Sequence, residues 1–265
     1  MPAKLRLSHP IAECCLSLPM PDDFDSAPPS AAEARPGRNK SLPPPGAGRR
    51  KLYGRRKGPK LSQRQAGLRQ TLLGKLAWRV GEEPLGQFPN TVRQLWLEVG
   101  FGAGEHLLAL AEQHPDIGLI GAEPYEMGMA KLLTKLEEKP LNNVRLYEGD
   151  GREIIEALPE ASLCRFFLLF PDPWPKTRHQ KRRFLQMGML EELARVIVPG
   201  GELRFATDDK SYLPYALERL MAHPAFTWTA RGPGDWKTRP QGWPPTRYEA
   251  KAIKGPPSFL RFARR

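Results

Sequence analysis

The stretch LWLEVGFGAGEHLLALAEQH, Leu95 to His114, decides the fold. Its opening Leu-Trp-Leu-Glu-Val-Gly-Phe is apolar at nearly every position, which suits a strand buried on both faces. Gly100, Gly102 and Gly104 then break the run. From Glu105 apolar residues recur at helical spacing until Pro115 ends them. Strand, glycine turn and helix follow one another without a linker.

Outward from this unit the alternation repeats. Strands are expected at Ile117–Pro124, Asn143–Asp150, Leu163–Pro173 and Gly201–Asp208. Helices are expected at Glu126–Lys139, near Arg152–Leu158, at Lys181–Val198 up to Pro199 and Gly200, and at Tyr212–His223. Two last segments, Phe226–Gly232 and Ser258–Arg265, suit an edge pair. The pattern predicts an α/β doubly wound fold, a mostly parallel seven-stranded sheet with an antiparallel edge. Ligands of such sheets bind beyond the carboxyl ends of the strands, where Glu123, Asp150, Asp172 and Asp208 are expected to converge.

The chain has 265 residues, enough for one domain and a tail. Residues 1–50, rich in Pro, Ala, Ser and Arg, hold too few apolar groups to offset chain entropy, so a disordered tail is expected. Residues 51–265 form the domain, opening on a basic arm that leads to a helix after Ser62. The net charge of +12 is concentrated at the two ends and favours a phosphate-rich partner. Cys14, Cys15 and Cys164 suggest neither a disulfide framework nor a zinc site, which fits a reducing cytoplasm. His106 and His114 share a helix without a third ligand, so no metal is expected. No apolar run approaches the roughly 18 residues of a membrane span, and no leader peptide is expected. Monomer and homodimer both stay open.

The glycine turn reads G-x-G-x-G and matches neither the dinucleotide fingerprint nor the phosphate-loop signature. Glu98 stands two residues before it, where a carboxylate repels pyrophosphate but accepts from a cationic amino group. Glu123, about 20 residues beyond the loop, is at ribose-binding distance. Asp150 could accept an adenine amino group. Gly100, Gly102, Gly104, Glu98, Glu123 and Asp150 thus describe a nucleoside carrying an amino acid, which is S-adenosylmethionine. The plainer alternatives are that Glu98 pairs with a cation and that Asp150 caps the following helix.

FPDPWPKTRHQKRR, Phe170 to Arg183, sets Asp172 on a proline-stiffened turn with a run of cations behind it. Asp172 could grip a ligand or merely cap the turn. Trp174 could stack on a base or pack beneath the prolines. Lys176, Arg178, Lys181, Arg182 and Arg183 could meet phosphates, with Arg49, Arg50, Lys51, Arg55, Arg56 and Lys57 as a second clamp. Lys181–Arg183 are expected to open a helix, where cations oppose the dipole.

From about Tyr53 onward the chain resembles the tRNA (guanine-N7-)-methyltransferases of the class I S-adenosylmethionine-dependent type. The resemblance rests on GRRKG, LEVGFGAGEHL, GAEPY, GDGREI, FPDPWPKTRHQKRRF, ATDDKSY and TRYEAK. It implies cofactor contacts at Glu98, Glu123 and Asp150, and a catalytic acid at Asp172. It implies substrate contacts at Lys176, Asp208, Thr246, Arg247, Tyr248 and Glu249, where Thr-Arg-Tyr-Glu replaces the family's Thr-Lys-Phe-Glu. The implied target is guanine 46 in the variable loop of tRNA. Rival readings are an exocyclic-amine RNA methyltransferase, a catalytically silent RNA-binding protein on this fold and, last, a nicotinamide dehydrogenase.

Overall fold

The structure, a computed structural model, describes residues 52–246, 249 and 254–265. The tail expected over residues 1–50 lies outside the described residues, as do Lys51, Arg247 and Tyr248.

Seven strands form one sheet: β1 (Gln94–Val99), β2 (Ile117–Ala122), β3 (Val144–Tyr147), β4 (Leu163–Leu169), β5 (Ile197–Thr207), β6 (Phe226–Trp228) and β7 (Ser258–Arg264). Their order is β3-β2-β1-β4-β5-β7-β6. The first five are parallel, and β7 runs antiparallel between β5 and β6. The helices are α1 (Gln63–Leu76), α2 (Glu105–Gln113), α3 (Glu126–Glu138), α4 (Gly151–Ala157), α5 (Met187–Val196), α6 (Tyr212–Ala222) and the short α7 (Gly234–Lys237).

β1 and β2 are buried at all six positions because helices cover both faces of the sheet. One apolar layer joins Leu97, Ile120 and Phe166 to Ile154 of α4, Leu190 and Leu193 of α5 and Leu220 of α6. The other joins Trp96, Leu119 and Phe167 to Leu107 of α2 and to Met129, Leu132 and Leu133 of α3. Leu185, Met189 and Leu193 are core, as their spacing implied. Ser62 starts α1 with a reciprocal capping box to Gln65, and Arg69 ties that helix to Glu126 and Glu148.

The chain winds outward through β1, β2 and β3 and then returns to β4 on the other side of β1. The crevice between β1 and β4 is therefore the switch point, where diverging connections leave a gap at the strands' carboxyl ends.

Three local expectations are corrected. The helix foreseen over Lys181–Val198 is a 3-10 turn at Thr177–Arg182 followed by α5 from Met187. Lys181–Arg183 do not open an α-helix, because Arg183 is drawn into the core and the chain extends at that point. β5 starts at Ile197 rather than Gly201, since Pro199 and Gly200 fit where its register with β4 shifts. Cys164 is buried in β4.

Candidate active site

A cavity of about 350 Å³ opens at the switch point. The glycine turn after β1 forms its floor, with Gly100, Gly102 and Gly104 at φ 79°, 60° and 75°. These left-handed values strain any residue with a Cβ. Gly100 and Gly102 line the cavity, whereas Gly104 caps α2 behind it. A Cβ on Gly128, at the start of α3, would stand 2.4 Å from the Gly102 carbonyl oxygen, so helix and loop touch backbone to backbone.

Glu123 follows β2 and faces the cavity. Its Oε2 accepts from the Gly102 N–H at 2.7 Å and its Oε1 from the Tyr125 N–H at 2.9 Å. Burial nevertheless pushes its pKa up to about 7, against those two donors and with help from the charges of Asp172 and Glu98. The charges of two further acids, Glu98 and Asp172, are thus felt at Glu123.

Glu98 is reached differently from the expectation. It is 2% exposed, does not line the cavity, and its Oε2 lies 2.8 Å from Nδ1 of His106. Asp150 lines the cavity and also caps α4, accepting from the Arg152 N–H at 3.1 Å. The Arg152 guanidinium pairs with it at 2.7 Å. The capping alternative is realised without removing the carboxylate from the wall.

Asp172 stands opposite, solvent-accessible at the cavity mouth. The surrounding walls raise its pKa, offset by the charge of Lys254. Phe170 and Trp174, on either side, have φ of 50° and 42°. Each such non-glycine residue costs about 1–3 kcal/mol and persists only where the surroundings hold it. The arm crosses in front of this turn. A Cβ on Gly54 would lie 3.0 Å from Oδ2 of Asp172. Tyr53 meets Trp174 edge-on at 6.1 Å, and the Arg182 guanidinium lies 4.3 Å from the Tyr53 ring and 4.8 Å from that of Trp174. Trp174 therefore packs against the arm while still lining the cavity.

Among the described residues, the substrate positions Lys176, Asp208, Thr246 and Glu249 lie outside the lining. Lys176 is exposed at the end of the turn. Asp208 Oδ2 accepts from the Lys254 N–H at 3.3 Å. Thr246 Oγ1 accepts from the Glu249 N–H at 3.1 Å, and Glu249 faces Arg239 at 3.7 Å. Lys254 joins this group to the cavity, since its charge is felt at Asp172. Sequence reasoning passed over Tyr53 and Arg152. An aromatic flanked by the cations of the arm was the available signal for Tyr53; nothing local marked Arg152.

Among the described residues no cluster of His, Cys, Asp and Glu suits a metal ion, and no helix is long and apolar enough to cross a membrane.

A doubly wound sheet of this order, with a glycine turn and acidic strand ends around one cavity, is the architecture of the class I methyltransferases. A family model described as "Putative methyltransferase" matches residues 92–258. A tRNA (guanine-N(7)-)-methyltransferase of Rhodospirillum rubrum is 48% identical over 224 residues, covering 81% of this chain and 88% of that one. One of Paramagnetospirillum magneticum is 49% identical over 226 residues, covering 83% and 94%. The chain belongs to the tRNA (guanine-N7-)-methyltransferase family.

Proposed function

We propose that this chain transfers the methyl group of S-adenosylmethionine to N7 of a guanine in tRNA, at position 46 of the variable loop, in the cytoplasm. The observation that carries the reading is that Glu123 and Asp172, from opposite sides of the switch point, open into the same cavity.

The cavity suits the cofactor. The missing Cβ atoms of Gly100 and Gly102 leave room for a ligand against the backbone. Glu123 is held by two main-chain donors, and each oxygen retains a lone pair for a ribose hydroxyl. Asp150 stands on the adjoining wall for the adenine amino group. Glu98, one layer deeper, adds negative potential that favours a cationic amino acid end. When bound, the cofactor supplies an electrophilic methyl on a positively charged sulfur.

Guanine N7 has an exposed lone pair, so no residue need remove a proton before attack. As the N–C bond forms, the C–S pair returns to sulfur and the positive charge passes to the purine. Asp172 accepts from N1–H and N2–H₂, which positions the base and stabilises that charge. Lys176, Asp208, Thr246, Arg247, Tyr248 and Glu249 hold the surrounding nucleotide. Arg178, Lys181 and the arm meet the phosphates.

The test is transfer of labelled methyl to tRNA transcripts with and without the variable-loop guanine, followed by borohydride and aniline cleavage. Cleavage at that guanine alone supports the reading. Label in an uncleavable product points to an exocyclic amine, and no label at all to a silent RNA-binding protein.

A further inference from the structure

Arg183 is fully buried, at 1% exposure, inside a cation run whose Lys176, Arg178 and Lys181 are exposed. Its Nε donates to the Pro173 carbonyl at 2.7 Å, and its Nη2 to Ser211 Oγ at 2.8 Å. The guanidinium lies over the Tyr212 and Tyr215 rings, 4.9 and 4.5 Å from their centroids. Ser211 Oγ in turn donates to Asp209 Oδ1 at 2.6 Å, and Asp209 Oδ2 accepts from Lys254 Nζ at 2.7 Å. A continuous chain of polar contacts therefore runs from the turn after β4 to the turn after β5. Among the described residues no carboxylate pairs with Arg183, and its Nη1 has no hydrogen-bond partner.

A buried cation without a counterion is poor value for stability alone, since apolar side chains of similar volume often serve better. Its contacts point elsewhere. Pro173 lies between Asp172 and Trp174, and the turn is strained at Phe170 and Trp174. On the near side, the Phe170 N–H donates to the Ala206 carbonyl of β5 at 2.8 Å. Removing Arg183 takes away the hydrogen bond on the far side of Asp172 and leaves that side only the ring contacts of Trp174 with Tyr53, Arg182 and His179.

We infer that Arg183 is a positioning residue: by bonding Pro173 and Ser211 together it sets the Asp172 carboxylate in register with the Asp208–Asp209 turn that receives the substrate. At 1% exposure its guanidinium is closed off from a phosphate at the surface. This rests on the proposed reaction, in which Asp172 meets the base.

The experiment compares Arg183→Met, Arg183→Lys and Ser211→Ala with the wild type in the full chain. It measures kcat and KM for tRNA transcript, the Kd of S-adenosylmethionine, the salt dependence of tRNA binding, and amide hydrogen exchange over residues 170–176. Displacement of a catalytic group by about 1 Å can cost about a hundredfold in rate. Arg183→Met is therefore expected to lose about that factor in kcat, with cofactor affinity and salt dependence unchanged and exchange faster over the turn. Arg183→Lys, which can reach one partner but not both, should retain part of the rate, and Ser211→Ala should show a smaller loss of the same kind. Wild-type kcat in Arg183→Met, or a salt dependence weakened by one contact, overturns the inference. If Arg183→Met fails to fold, Ser211→Ala decides: unchanged kcat and exchange overturn it. A wild type that transfers no methyl to tRNA defeats the proposed reaction instead, and the exchange rates of the turn still judge the strut.

Discussion

The main-chain N–H of Gly102 donates to Oε2 of Glu123 at 2.7 Å, so the glycine turn after β1 is fastened to the end of β2. A single carboxylate thereby shapes the floor of the cavity and forms part of its wall. Its protonation should be felt in both roles.

With its pKa near 7, Glu123 is largely protonated at pH 6 and ionised at pH 8. Ribose hydroxyls donate to the ionised form, so cofactor binding should release a proton and strengthen with pH. A single group at this pKa implies a Kd about tenfold lower at pH 8 than at pH 6. In the ligand-free protein the sign is opposite. A raised carboxyl pKa contributes stability below its unfolded value, and this is lost as pH rises through about 7. Titration calorimetry in buffers of different ionisation enthalpy reads the proton; equal affinity at both pH values would contradict the assignment.

Asp172→Asn keeps the size of the side chain but replaces an anionic acceptor with a neutral amide. Loss of one such electrostatic contact costs about 10²–10³ in turnover. We expect that loss in kcat with cofactor affinity unchanged, checked by single-turnover methyl transfer and calorimetry. Near-normal kcat removes Asp172 from the chemistry.

Arg178 and Lys181 are exposed on the 3-10 turn that follows Asp172. Affinity for tRNA should fall steeply with added salt, and Arg178→Ala or Lys181→Ala should each reduce the slope of log affinity against log salt by about one. Filter binding between low and physiological salt measures it. A flat response would remove the phosphate clamp from the account.

Gly128→Ala drives a methyl group into the Gly102 carbonyl. Overpacking of this kind costs about 1–3 kcal/mol, and the glycine turn must move to relieve it. Weaker cofactor binding and a lower Tm are expected together. A variant with both unchanged shows that α3 does not set the position of the loop.

The strands were readable wherever burial imposes a simple pattern. β1, β2 and β4 are apolar on both faces, which leaves no other element that could carry them. The break between Arg182 and Met187 was not readable, because Phe184, Leu185 and Met189 keep helical spacing although the chain between them is extended. Among the site residues, Glu123 and Asp172 could be placed from their strand ends alone. The partners of Glu98 and Arg183 could not, since His106 lies eight residues from the first and Ser211 lies 28 from the second.

What this sequence settles unaided is local. Apolar runs, glycine punctuation and a proline-bound acid dictate which segments are strands and which residues stand at their ends, because these depend on neighbours in the chain. Whether an acid faces a ligand, a helix cap or a histidine, and whether an arginine meets solvent or the core, was decided by the packed fold. A charge takes the lowest-energy partner within a few ångströms, and only folding determines which groups are that close.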